Sequence, residues 1–166
     1  MNEEEYIRKD RMRFTKNSLA STFVIIAIVF DVLYFLNIYK SDVGHNVGSF
    51  YYQIRIGASI IYNLLFMLGA FLSSEGVKNY KQEYAYVLIV LGILQVVRIF
   101  ILPAQASAAE VSIAGTTTKV METGQHITVI IYLLISAACL LAGAYIGIKR
   151  SKELQAHMAS LENNPA

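Results

Sequence analysis

Residues 127–148 read ITVIIYLLISAACLLAGAYIGI, without a charged side chain anywhere in the run. A hydrocarbon core of about 30 Å needs roughly 20 consecutive apolar residues at the helical rise, and this run meets that length. Three further stretches do the same. LASTFVIIAIVFDVLYFLNI covers Leu19 to Ile38, and two others run from about Ile54 to Ser73 and from about Tyr84 to Leu102. Backbone amides in lipid must be paired within the segment or inside a closed barrel, and none of the four runs shows the two-residue alternation of a barrel strand. The fold class expected is therefore an all-α integral membrane protein, a four-transmembrane-helix bundle.

Composition agrees with that solvent. Hydrophobic residues make up 55% of the 166, charged residues only 16%, and the mean hydropathy is +0.48. Soluble domains carry about a quarter charged residues. The formal net charge of +2 is too small and too scattered for a nucleic-acid surface, so no nucleic-acid partner is expected. A single cysteine allows neither an internal disulfide nor metal-ligand spacing.

The whole chain, 1–166, reads as one membrane domain. Outer loops are expected at 39–53 and 103–126, a cytoplasmic loop at 74–83 and a cytoplasmic tail at 149–166. Sidedness follows from Lys and Arg in the short flanks, because basic loops resist translocation. Arg8, Lys9, Arg11, Arg13, Lys16, Lys78, Lys81, Lys149, Arg150 and Lys152 lie on one side, against Lys40, Arg55 and Lys119 on the other. Both termini are thus expected in the cytoplasm, in the plasma membrane of a bacterium. The basic head resembles the start of a signal peptide, but the apolar run behind it exceeds the usual 7–15 residues and contains Asp31, so it reads as a retained anchor.

Within the connectors, 103–125 reads as a surface segment rich in Ala, Ser and Thr, with a short helix expected near Ala106 to Val111. Beyond Ile148, Leu154, Met158 and Leu161 recur at helical spacing. That pattern predicts a short amphipathic extension of the last helix.

In lipid, small and polar residues rather than apolar ones mark the inward faces. On the second span Arg55, Ser59, Tyr62, Asn63, Phe66, Ala70 and Ser73 form one face. On the fourth, Thr128, Tyr132, Ser136, Cys139, Gly143 and Gly147 do so, ending in a GxxxG. Cys139, Gly143 and Gly147 are the expected helix-packing residues, with contact to neighbouring helices of the same chain favoured over a homodimer seam. Cys139 reads as an inert packing thiol.

Ionisable groups inside a span are costly, roughly 2.5–3.5 kcal/mol each on insertion scales. Asp31 lies about 10 Å below the outer end of the first span at the helical rise. Arg98 and Gln95 share one face of the third span, Arg55 enters the second from outside, and Asn63 follows two turns below it. All five fall in the outer half of the membrane. The economical arrangement pairs Asp31 with Arg98, since an arginine fork satisfies a carboxylate bidentately. Arg55 then supplies an excess positive charge, and Tyr34 and Tyr62 add neutral donors. Asp31, Arg55, Asn63, Gln95 and Arg98 are accordingly the candidate binding residues of an outward polar pocket for an anionic group. The competing reading is a structural tie between helices, with Arg55 snorkelling to the headgroups.

Other chemistries find less support. Asp42 with His45, and Glu122 with His126, match no recognised metal motif, so no metal site is expected. HExxH, GxSxG, P-loop and dinucleotide-binding signatures are all missing, so an enzyme is not expected and no cofactor is implied. The expectation is a non-catalytic accessory or binding subunit whose partners are membrane lipid and another membrane protein or a further copy of itself. The alternative is a small oligomeric transporter or channel using the same Asp/Arg cluster. It is disfavoured because the inward faces turn apolar at Phe66, Ala70, Leu88 and Leu91.

Overall fold

The computed structural model describes residues 3–42, 50–108, 110–113, 116–119 and 121–163. It contains α1 (Glu3–Met12), α2 (Ser18–Asp42), α3 (Phe50–Lys78), α4 (Gln82–Ala108), β1 (Glu110–Ile113), β2 (Thr116–Lys119) and α5 (Thr123–Asn163). Four helical stretches are long and apolar enough to cross a membrane: Ser18–Ile38, Gly57–Lys78, Gln82–Ile101 and Thr123–Glu162. Their outward positions are apolar, among them Val29, Leu36, Leu64, Val90, Ile93 and Phe100, all exposed. A soluble fold would not tolerate such a belt, whereas lipid solvates it without cost.

Around the bundle the order is α2, α3, α4, α5. The fifth helix packs along α2 and α4, α3 packs on the same two, and few residues of α3 and α5 meet across the diagonal. Neighbours run antiparallel. The start of α2 touches the end of α3 through Asn17 N–H donating to the Lys78 carbonyl at 2.9 Å. At the other end of the bundle, Gln125 at the start of α5 donates to the Asn37 carbonyl of α2 at 2.9 Å.

Two apolar clusters fill the interior. The larger centres on Val24, Ala27, Phe66, Ala70, Leu88 and Leu140. The second gathers Tyr34, Ile38, Met121, Val129 and Leu133 nearer the strand-pair end. Small residues allow the close helix approach that the fourth span's spacing predicts. A methyl group added at Gly143 would sit 3.1 Å from Val24 Cγ2 and 3.2 Å from the Ala20 carbonyl. At Gly147 it would sit 3.2 Å from Val77 and 3.3 Å from Ala85. The GxxxG face therefore packs on α2, α3 and α4 of its own chain. Cys139 is half-buried against the larger cluster.

The end of α3 is built tightly. Lys81 N–H reaches back to the Gly76 carbonyl and Tyr80 N–H to that of Val77, at 3.1 and 3.2 Å. This double closure is a Schellman motif, with Tyr80 in its left-handed position at φ 58°. Ser151 Oγ of α5 donates to the Tyr80 carbonyl at 2.8 Å and holds the strained residue in place. Gly76 is obligatory for a different reason: a Cβ there would lie 2.1 Å from Cγ of Tyr84, at the root of that side chain.

Several boundaries differ from the sequence expectation. The fourth helix continues through buried Pro103 to Ala108, where a loop from Pro103 and a short helix at 106–111 were expected. An interior proline loses its own N–H bond and crowds the carbonyl four residues back, and packed neighbours make that cost tolerable in an apolar helix. The described residues of the rest of that connector are strands, not a helix: β1 and β2 pair antiparallel from Glu110 with Lys119 to Ile113 with Thr116. Among the described residues the fold is thus helical with one short strand pair.

The last helix runs unbroken to Asn163, but the extension does not bury the Leu154/Met158/Leu161 stripe. Met158 is exposed, and the buried residues are Ser151 and His157. The reason is α1, which lies on this extension. Its Tyr6 ring meets His157 edge-on at 5.2 Å between centroids, and Asp10 stands 3.7 Å from His157 Nε2. Lys9 pairs with Glu5 at 2.9 Å one turn away and holds that carboxyl below its ordinary value of 4.5.

Candidate functional site

Between the two apolar clusters lies a single polar layer contributed by all four long helices. Asp31 and Tyr34 come from α2, Tyr62 and Asn63 from α3, Gln95 and Arg98 from α4, and Ser136 from α5. The spacing explains the convergence. Asp31 and Tyr34 are three apart, as are Gln95 and Arg98, so each pair occupies one helix face.

Arg98 is the hub. Its two terminal nitrogens diverge, Nη1 donating to Asp31 Oδ1 at 2.9 Å and Nη2 donating to Asn63 Oδ1. The pair with Asp31 is therefore single-pronged rather than bidentate. The Tyr34 and Tyr62 rings flank the guanidinium, with their centroids 4.2 and 4.9 Å from its carbon. Cation–π contacts of this type contribute roughly 0.5–2 kcal/mol each, more where water is excluded. Asp31 is fully buried and Arg98 is only 4% exposed.

Gln95 closes the second half of the network. Its Nε2 donates to Asp31 Oδ1 at 2.9 Å and to Ser136 Oγ at 3.1 Å. Ser136 Oγ in turn donates to the Ala27 carbonyl of α2 at 3.0 Å. One carboxylate oxygen thus collects both donors, while its partner Oδ2 has none among the described residues. Tyr34 OH, Tyr62 OH, Gln95 Oε1 and Arg98 Nε share that condition. Orphaned polar atoms this deep are uncommon in folded proteins, and each one costs about 1–3 kcal/mol.

Four of the five expected binding residues, Asp31, Asn63, Gln95 and Arg98, come together here. The fifth, Arg55, and with it the expected excess of positive charge, has its side chain outside the described residues. Within the described layer one carboxylate balances one guanidinium. The tyrosines enter by their ring faces as well as standing by as donors. Ser136, read in the sequence as one of a run of small residues, proves to be the link from Gln95 to the α2 backbone.

The layer is reached from the side. A groove of about 260 Å³ opens between α3 and α4, walled by Ala58, Ser59, Leu94, Val97 and Ile101 and ending on Tyr62 and Arg98. Its surface is almost wholly apolar. Among the described residues no three His, Cys, Asp or Glu side chains converge. Of the weighed metal pairs, His45 lies outside those residues.

Comparison of the chain with protein-family models, with curated proteins and with solved structures finds no match to any of them.

Proposed function

We propose that this chain is a non-catalytic accessory or binding subunit of a plasma membrane, inserted through its four long helices with both termini in the cytoplasm. Its outer-half polar layer receives an acceptor-bearing, anionic or polar group carried by a partner helix that docks between α3 and α4. The observation that carries this reading is the groove ending on Arg98 and Tyr62, whose Nε and hydroxyl have no partner among the described residues. A helix offering a carboxylate, a carbonyl or an amide at that depth satisfies both donors once Arg98 and Tyr62 turn toward the groove, both atoms being buried in the free chain, and the apolar walls accept its flanking side chains.

The apolar clusters on either side of the layer favour binding over passage of a solute, which needs a polar lining that continues across the membrane. Sidedness rests on the ten basic flanking residues, which share the bundle end where Asn17, Lys78 and Arg150 meet.

Photo-crosslinking from Leu94 in native membranes tests the reading. A single stoichiometric partner is expected, lost on Ser59→Trp, which fills the groove and replaces neither member of the Asp31–Arg98 pair. Recovery of only lipid adducts or self-adducts, unchanged by Ser59→Trp, overturns it.

A further inference from the structure

At the opposite end of the bundle from the strand pair, a second cavity of about 250 Å³ lies where α1 folds back over α2 and α5. One part of its wall is apolar, made of Leu19 at the start of α2 and Tyr145 and Ile146 on α5. The other part is basic: Arg8 comes from α1, and Lys149 and Arg150 follow one turn after Tyr145. Glu153 is the only carboxylate on the wall among the described residues, so cations exceed anions there.

Arg150 is pre-positioned. Its Nη1 donates to Asn17 Oδ1 at 2.9 Å, and Asn17 is fully buried, caps the first turn of α2 and is tied to the end of α3. A guanidinium held this way loses little further freedom when it accepts an anion. Leu19 and Lys149 lie at the ends of their respective apolar runs, so the change from apolar to basic wall falls at the membrane border.

We infer that this cavity is a binding site for one anionic phospholipid of the adjacent leaflet, with its phosphate between Arg8, Lys149 and Arg150 and its glycerol and upper acyl carbons against Leu19, Tyr145 and Ile146. The charge of the rim and the apolar wall beneath it match the two ends of such a lipid. The site depends on membrane insertion of the four helices but not on the groove between α3 and α4. A failed search for a partner helix therefore leaves it standing.

Basic side chains near an anionic surface contribute about 1 kcal/mol each, so losing two is expected to weaken binding roughly tenfold to thirtyfold. The test is native mass spectrometry of the full chain titrated with phosphatidylglycerol or with phosphatidylcholine of identical acyl chains. One phosphatidylglycerol is expected to bind in preference, by tenfold or more. Arg8→Ala/Lys149→Ala should abolish that preference, while Lys81→Ala/Lys152→Ala, which removes the same charge elsewhere, should leave it within about twofold. Arg8 is exposed, so Arg8→Glu provides a second variant without risk to the core. Equal retention of the two lipids, equal loss in both double variants, or displacement of the lipid by inorganic phosphate at matched concentration would each overturn the inference. The last result would assign the cavity to a soluble phosphate.

Discussion

Removing one partner of the Asp31–Arg98 pair should cost at least as much as removing both. In Arg98→Met the Asp31 carboxylate keeps only the Gln95 donor in a fully buried site. In Asp31→Leu the guanidinium keeps only Asn63 and the faces of two tyrosine rings. Breaking a buried pair costs about 3–5 kcal/mol, and the low end applies here because helices unfolded within a membrane still find alternative partners. Each single variant is thus expected to lose about 3 kcal/mol.

The double variant Asp31→Leu/Arg98→Met removes both charges. It leaves Gln95 Nε2 on Ser136 and strands only Asn63 Oδ1, for about 2 kcal/mol. It should therefore be no less stable than either single variant. Reversible unfolding in bicelles, followed by helicity or by steric trapping, reads all four corners of the cycle. A double variant whose loss equals the summed single losses within about 0.5 kcal/mol would show that the two groups are uncoupled and refute the reasoning.

The charge exchange Asp31→Arg/Arg98→Asp should fail to restore stability in the same assay, because Gln95 Nε2 donates toward position 31 and both ring faces attend a cation at 98; recovery to within about 1 kcal/mol of the parent would contradict that geometry. Gly76→Ala is expected to destabilise by about 1–3 kcal/mol through collision with the root of Tyr84, and Gly76→Ala/Tyr84→Ala to regain part of it. At the Schellman turn Tyr80→Gly should be neutral or stabilising and Tyr80→Val should lose about 1–2 kcal/mol, since only glycine enters the left-handed region freely. Tyr6→Ala should detach α1 from α5, read as faster proteolysis within residues 3–16, while the unfolding of the four long helices is unchanged; protection equal to the parent would mean that the ring contact with His157 does not hold α1.

Much of the polar layer is legible in the sequence because charge inside an apolar run is conspicuous. Asp31 and Arg98 are each costly alone, their depths match, and pairing follows. Gln95 and Asn63 follow by helical periodicity from Arg98 and from the inward face of the second span. Ser136 is less legible, because serine is also an ordinary packing residue in lipid. The ring faces of Tyr34 and Tyr62 are not legible at all, since a tyrosine near an arginine offers either its hydroxyl or its π system and only the approach angle distinguishes them. His157 looks solitary in the sequence, and α1 supplies its neighbours from almost the whole chain length away.

The one-dimensional pattern alone settled that four helices have the length and apolarity to cross a bilayer, because a backbone in lipid has few ways to satisfy its hydrogen bonds and span length is simple arithmetic on the rise per residue. It also marked the small-residue face of the last span. Only the packed structure decided where that face goes, turning Gly143 and Gly147 toward α2, α3 and α4. It likewise decided that Arg98 splits its donors between Asp31 and Asn63, and that α4 runs past Pro103 and a strand pair follows. Those outcomes depend on which neighbours occupy the space around each side chain, and spacing along a single helix carries no such information.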